Sequence, residues 1–515
     1  MKMFKGAWAP VLMGLAGMTS APAQFCCDTD VCCDDVCCDG PIGCDGGKMG
    51  ELSGFGSIFD DFTMDPYTYV IDECSGLKVK AGMQIRHRFH DEDNRLRPAG
   101  QNATDYQLWR VRPTVDLISD YGQVHFEGID ASQFGEDIPA LTIDVNRADV
   151  LELWAGVNTY DDLFGGKGQF RYGRQTLLYG DQHLLSPLEW ANTRRNFEGF
   201  KFVHTGADLN VDAFAMNTLN GGAGSGRGPG FDPVAFDSAN EQLWISGVYA
   251  TYTGYKAANV DMYLLYLDEE ELGANRAQRS GGFRFTIGTR LNGKIPVKDC
   301  CGEVVRTWDW NTEFMHQFGR DDGVIRAAPG AGLVTADALD VNAIGISAYG
   351  GLTFNQVAWK PRLGGLFWLG SGTSAADRAE GQNGTLDTLF PLGHKYWGII
   401  DNFSGENLIN YSAQVSVSPT KKLSVFAHYH WFFRQSEDDF IYNIAGVGLG
   451  GPAIVNNGES AIGNELDIVA TYKFNKNLSV QLGWARFFYD DSVGAVLAQA
   501  ANDGDFVYLQ TQYQF

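Results

Sequence analysis

The chain has 515 residues, a formal charge of −24, 63 glycines and 13% aromatic residues. So acidic a chain cannot neutralise phosphates, which excludes nucleic acid as a partner. No run of about 18 apolar residues follows the first two dozen, which excludes membrane-crossing helices.

At the N-terminus Lys2 and Lys5 precede an apolar stretch from Ala7 to Met18 and then Ala21-Pro22-Ala23. Basic, apolar and small-residue regions in that order predict a secretory signal over residues 1–23, cleaved after Ala23. Phe25 before Cys26 does not fit a lipoprotein cleavage box. Removing the two signal lysines leaves 39 − 2 = 37 basic residues against 63 acidic ones. Residues 24–76 read as a Cys-rich periplasmic extension. It carries Cys26, Cys27, Cys32, Cys33, Cys37, Cys38 and Cys44 in a recurring Cys-Cys-Asp unit whose spacing does not suit zinc. A disulfide-linked or flexible tether is expected in an oxidising compartment, with metal or redox binding as the alternative. Phe55, Phe59 and Phe62 have near-helical spacing, so a short helix or plug is also expected.

From Leu77 onward, period-2 alternation takes over, with Val79, Ala81, Met83, Ile85 and Phe89 on one parity and Lys78, Lys80, Gln84, Arg86 and Arg88 on the other. An apolar face towards lipid and a charged face towards a lumen read this way. The pattern recurs near residues 106–118, 122–130, 147–158, 168–177, 197–205, 208–217, 243–254, 258–268, 282–292, 304–318, 340–353, 357–369, 408–418, 423–434, 464–475, 478–490 and 505–515. The fold class is therefore all-β: a closed antiparallel transmembrane β-barrel of about 18 strands over residues 77–515. Short even connections and long odd ones (218–242, 370–407 and 435–463) match periplasmic turns and extracellular loops. The even connections 159–167 and 293–303 look like decorated turns. Pro113 and Pro361 fall inside strands and predict bulges. The last strand alternates to a terminal Phe515, similar to the C-terminal signal of outer-membrane proteins.

One stretch is more specific. Residues 170–202 contain Gly173-Arg174-Gln175, Tyr179-Gly180-Asp181, Trp190-Ala191-Asn192, Arg194-Arg195 and Phe197-Glu198-Gly199. This resembles the signature of the alginate export family of outer-membrane barrels, with His183 where Arg is expected and Glu198 where Asp is expected. The resemblance implies an outer-membrane channel, not an enzyme, that passes an anionic polysaccharide from periplasm to exterior, with periplasmic export partners possible. A general diffusion porin for small anions or sugars shares every feature except this stretch. No cofactor motif is present, and no metal ligand is assigned.

If the apolar parity faces lipid, Arg86, Arg88, Arg110, Arg112, Arg284, Arg290, Lys360, Arg362 and Arg434 face the lumen, with Lys473 beside them. Arg194, Arg195 and whichever of Arg171 and Arg174 turns inward join them, giving a basic track for carboxylated sugars. Asp116, Glu152, Asp309, Asn311, Glu313, Glu465 and Asp467 share that parity, so structural pairing across the wall is the competing reading. Trp190, Arg194 and Arg195 belong either to ordinary loop packing or to a constriction loop. His428 and His430 share the parity of Arg434, with simple solvation as the plain reading. The run 221–230 lacks the Gly-Lys-Ser/Thr ending of a phosphate loop. An enzyme on the barrel wall would have only His183, near Tyr179 and Arg194, to use. Because adjacent cysteines bridge each other poorly, Cys300 and Cys301 are expected to link to Cys74 or to the tether.

Overall fold

A single continuous β-sheet rolls up and closes on itself. The computed structural model describes residues 63–96, 103–135, 140–220, 236–269, 281–322, 324–326, 333–335, 338–455 and 457–515. The signal, the tether, the Phe55–Phe62 helix and the run 221–230 lie outside them. Twenty strands join the sheet, and setting aside Tyr67–Asp72 and the two-residue Gln382–Asn383 leaves eighteen barrel strands. They are β1 (Leu77–Asp93), β2 (Ala103–Ser119), β3 (Gly122–Phe134), β4 (Asn146–Leu163), β5 (Gly166–Gln175), β6 (Phe197–Gly206), β7 (Leu209–Asn220), β8 (Ser238–Tyr252) and β9 (Asn259–Glu269). The second half comprises β10 (Gly282–Lys298), β11 (Val304–Asp321), β12 (Leu339–Phe354), β13 (Arg362–Gly370), β14 (Leu408–Val417), β15 (Leu423–Arg434), β16 (Ala461–Lys473), β17 (Leu478–Tyr489) and β18 (Gly504–Gln514). Neighbours pair antiparallel, and β18 closes on β1 from Gln84↔Gln514 to Asp93↔Asp505.

Alternation sorts the side chains as the sequence leads one to expect. On β2, Trp109 and Val115 are exposed on the outer face while Arg110 and Arg112 are buried inside. Leu264, Ile287, Phe314, Leu363 and Leu482 continue the apolar outer surface. This inverts a soluble domain, because lipid is the solvent outside.

The connections are tighter than the sequence suggests. Phe164 and Gly165, both at positive φ, make a two-residue turn between β4 and β5 of the type that suits hairpin twist. The decorated turn expected at 159–167 is instead strand, and the one expected at 293–303 shrinks to 299–303. Pro361 lies in the turn before β13, not within a strand. Pro113 stays inside β2 and interrupts the ladder to β3 without shifting register; the bulges fall one pair further on, between β3 and β4.

Below Phe515, which exchanges backbone hydrogen bonds with Met83, the free edge of β1 is taken by Tyr67–Asp72, paired from Tyr67↔Ala81 to Asp72↔Leu77. All six residues of this ribbon are exposed. Asn477 ties it down, accepting from the Met64 N–H at 3.0 Å and donating to the Met64 carbonyl at 2.8 Å.

Cys74, Cys300 and Cys301 are exposed, and their places on the ring correct the expected link to Cys74. Cys74 lies beside the β2–β3 turn, where Ser75 accepts from the Asp120 N–H, whereas Cys300 and Cys301 join β10 to β11, eight strands away round the ring. Eighteen strands spaced ~4.8 Å apart enclose a barrel roughly 27 Å across before tilt, far beyond the ~7 Å limit between disulfide-bonded Cα atoms. Non-reducing peptide mapping of the folded protein should therefore never return a Cys74–Cys300 or Cys74–Cys301 peptide. Recovering either would mean that the strand order around the ring is wrong.

Candidate functional site

Instead of passing over the rim, the chain after Gln175 turns into the lumen and stays there until Phe197. Arginines on the inner face of the first two strands hold it. Arg86 donates to the carbonyls of Glu189 and Ala191 at 2.8 and 2.5 Å. Arg110 pairs with the Glu189 carboxylate, Arg112 reaches it at 3.1 Å and Arg194 at 3.0 Å. Arg112 also pairs with Glu127, and Arg194 lies 3.5 Å from Glu127 and 3.9 Å from Glu152. Asn192 donates to the carbonyls of Trp109, Ser132 and Asp144. Four guanidiniums thus face three carboxylates, and charge-assisted bonds of this kind are the strong class. Burial alone would raise the Glu189 carboxyl, but Arg110, Arg112, Arg194 and Arg86 outweigh it and hold that group well below the usual carboxylate range. Its side chain keeps 43% of its surface open, so the arginines and not enclosure set its state.

A second loop, 371–407, meets the first inside the barrel. Leu185 bridges Phe390, the Ser186 N–H donates to the Phe390 carbonyl at 2.9 Å, and the Phe390 N–H to the Leu184 carbonyl at 2.8 Å. Trp397, Ile400 and Phe403 of this loop bury themselves against Trp368, Phe432 and Phe487 of the wall. Aromatics of this size each bury roughly 150–250 Å², so the upper lumen holds an apolar core that strand alternation alone does not show.

Trp190 sits where the loops touch. The Arg88 guanidinium lies over its ring, 3.6 Å from the centroid, and His394 stacks on it at 3.5 Å and 11°. Trp190 Nε1 donates to Asp401 at 2.8 Å, and His394 Nδ1 lies 3.0 Å from the same carboxylate oxygen. Trp190 and His394 line two cavities at once. One, of about 450 Å³, also touches Tyr349, Arg362, His428 and Tyr508; the other, of about 320 Å³, touches Arg88, Arg195 and Leu141.

The signature stretch 173–199 is the seat of this loop. Gly173 has φ 128° and pairs with Gly199, and a Cβ on Gly173 would run into the Leu153 carbonyl. Gln175 Nε2 reaches the Gly199 carbonyl at 3.5 Å. Tyr179 donates to Asp212 at 2.8 Å, and Asp181 accepts from Asn311 at 2.7 Å, Lys395 at 3.2 Å and Tyr349. Phe197 packs edge-on against Phe390. His183, in the place where Arg was expected, still finds a carboxylate, Glu313, at 2.6 Å.

The remaining basic residues expected in the lumen divide into struts and exceptions. Arg284 pairs with Asp321 at 3.0 Å and donates to the Thr385 carbonyl. Arg290 pairs with Asp261 at 2.5 Å, and Arg362 with Asp309 at 2.5 Å. Arg434 donates to the carbonyls of Glu437, Asp439, Ile454 and Glu459, pinning the loop above it. Arg195 donates to the carbonyls of Ser186 and Pro391. Arg174 is a correction: it shares parity with the exposed Phe170 and Tyr172 and binds Val150 and Asp237 carbonyls at the outer rim. Arg171 takes the inward place, 4.3 Å above the Trp154 ring. Lys360 is the other correction, since it lies in the turn before β13, at φ 46°, and lines a mouth cavity with Lys421, Lys422 and Lys473. Glu189 and His394 were not singled out from sequence; an acidic residue next to Trp190 and close to Arg194-Arg195 was the available signal.

A closed antiparallel barrel with an apolar girdle and a loop-narrowed polar lumen is an outer-membrane channel. Residues 77–504 match the alginate export family, and the chain belongs to that family. No curated protein matches the chain. Among solved structures, it resembles OccAB1 of Acinetobacter baumannii, with a TM-score of 0.54 and 13% identity over 85% of this chain and 96% of that one. The outer membrane protein OprD of Pseudomonas aeruginosa gives 0.52 and 12% over 85% and 94%, and OpdQ of the same organism gives 0.52 and 11% over 85% and 97%. At such identities the likeness is one of fold; the alginate export family, together with the closed barrel, places the chain in the bacterial outer membrane.

Glu189→Gln removes the carboxylate shared by the arginines. Because the folded carboxyl titrates below its unfolded value of about 4.3, its anchoring is complete above that value and is lost only as pH falls through the lower, folded one. Wild-type single-channel conductance should therefore stay level between about pH 7 and about pH 5, while E189Q should already be noisier and more conductive at neutral pH. A wild-type conductance that climbs within that window would show that Glu189 does not hold the loop.

Proposed function

We propose that the barrel passes an anionic, alginate-like polysaccharide from the periplasm to the exterior. The carrying observation is the junction of the two cavities at Trp190 and His394, flanked by guanidiniums whose partners are neutral. Arg88 donates to Gln510 Oε1 at 3.0 and 2.7 Å, and Arg86 to two loop carbonyls. A guanidinium held by neutral acceptors is fixed in place while its charge still attracts a passing carboxylate. Lys360, Lys421, Lys422 and Lys473 at the periplasmic mouth raise the local concentration of polyanion. Several modest contacts in series allow movement where one tight site would trap the polymer.

Passage of small anions or sugars is the second reading. It draws on the same cavities, whose volumes of about 450 and 320 Å³ fall within the range of small-molecule sites.

Planar-bilayer recording separates the two. On the export reading, the wild type conducts small ions poorly, polyuronate lowers the current further and a neutral polysaccharide does not. Trp190→Ala should raise conductance several-fold, and R86S/R88S should move the reversal potential in a salt gradient away from anions. A freely conducting wild-type pore indifferent to polyuronate would sink the export reading and leave small-solute passage.

A further inference from the structure

Away from Trp190, the wall of the larger cavity carries His428-Tyr429-His430 on β15 beside Glu465-Leu466-Asp467 on β16. Strand alternation puts both histidines on the lumenal face, and the register sets His428 opposite Asp467 and His430 opposite Glu465. His430 Nε2 lies 3.4 Å from an Asp467 oxygen. One ligand atom from each of His428, His430 and Asp467 lies within 4.8 Å of the others, a spread that small rotations bring to the ~2.0–2.2 Å bond lengths of a shared ion.

A structural ladder does not explain this group. Asp467 and Glu465 are both 0% exposed, yet no N–H or hydroxyl donor reaches either Asp467 oxygen or Glu465 Oε2, and the two carboxyls lie within hydrogen-bond reach of each other. Among the described residues, no lysine or arginine pairs with either, unlike the other buried lumenal carboxylates discussed above except Glu313, which has His183 and Tyr263, and Asp401, which has Trp190 and His394. Two buried carboxylates two residues apart on one face need a counter-charge, either a proton held between them or a cation.

The hydrogen bonds around His430 favour a cation. Asn410 Nδ2 donates to the Tyr396 carbonyl at 2.9 Å, which fixes the amide so that its Oδ1 must accept from His430 Nδ1 at 3.1 Å. That places a hydrogen on Nδ1 and turns Nε2 towards Asp467, the outer-shell arrangement common to metal-binding histidines. The second cluster of similar composition, His125, Glu127 and Glu152, lacks this character because Arg112 and Arg194 already neutralise its carboxylates.

We infer that His428, His430 and Asp467, with Glu465 as a further oxygen donor, bind one divalent transition-metal ion of the zinc class in the channel wall. Two imidazoles with carboxylates suit that class and not calcium or magnesium. Glu465 Oε1 also accepts the Ile400 N–H at 2.9 Å, so the ion would stiffen loop 371–407 from below. The inference does not depend on which solute the channel passes.

The test uses the detergent-solubilised full chain without a histidine tag and with its thiols carboxamidomethylated, so that cysteines cannot contribute. Titration with Co²⁺, read by visible d–d bands and reversed by Zn²⁺, should saturate at one ion per barrel. His430→Ala and Asp467→Asn should each weaken binding about 10–100-fold, and His125→Ala should leave it unchanged. Heat-modifiable gel migration reports whether each variant is folded, and His428→Ala, at a partly exposed position, is the substitute if a buried variant fails to fold. Absence of saturable binding in the alkylated wild type would overturn the site and leave a shared proton between Glu465 and Asp467. Binding that vanishes on alkylation alone would assign the metal to the N-terminal cysteines, and binding unaffected by the histidine and Asp467 changes would also overturn the proposal.

Discussion

One loop gathered by four guanidiniums, three on the Glu189 carboxylate and Arg86 on the carbonyls of Glu189 and Ala191, turns an open cylinder into a constricted channel. Without Glu189, Arg86, Arg110, Arg112 and Arg194 would repel one another across a low-dielectric wall. Without the arginines, a polar loop carrying buried backbone groups would not leave water. The two halves are mutually necessary, and the position of Trp190, the contact with loop 371–407 and the division of the lumen into two cavities all follow from that anchoring.

The barrel itself was legible because lipid and lumen impose a period of two on every strand, and because turns and loops alternate in length from one end to the other. Trp109 and Arg110 could be assigned to opposite faces from parity alone. Arg174 could not, because Gly173 and the outer rim let a polar residue occupy the apolar parity, where the segment around Asp237 covers it. Lys360 was placed in a strand because Val357 and Trp359 mimic alternation; Pro361 was the contrary signal, and in the structure it ends the turn.

The role of each inward arginine was less legible. A guanidinium that tracks a substrate and one that supports a wall occupy the same parity and the same residue type, and only the partner tells them apart. The partners of Arg284 are a carboxylate and a carbonyl 37 and 101 residues away in sequence, and those of Arg434 are carbonyls of the loop that follows its own strand. Loop 371–407 offers no periodicity, so nothing local announced that Trp397, Ile400 and Phe403 would form a core inside the barrel. His428 and His430 were visible as an inward pair, but their significance depended on Asp467 and Asn410, which the register brings beside them.

The ribbon Tyr67–Asp72 carries a consequence for assembly. A barrel whose first strand runs longer than its last leaves a stretch of unpaired amides at the seam, and such a stretch is a template on which the strand of another molecule can grow. By laying its own N-terminal residues along β1 below Phe515, the chain withdraws that template once β18 has closed. Seam and cap come from opposite termini of one polypeptide, so exchange of strands between neighbours in a crowded membrane would have to displace a segment that is tethered nearby and returns at once.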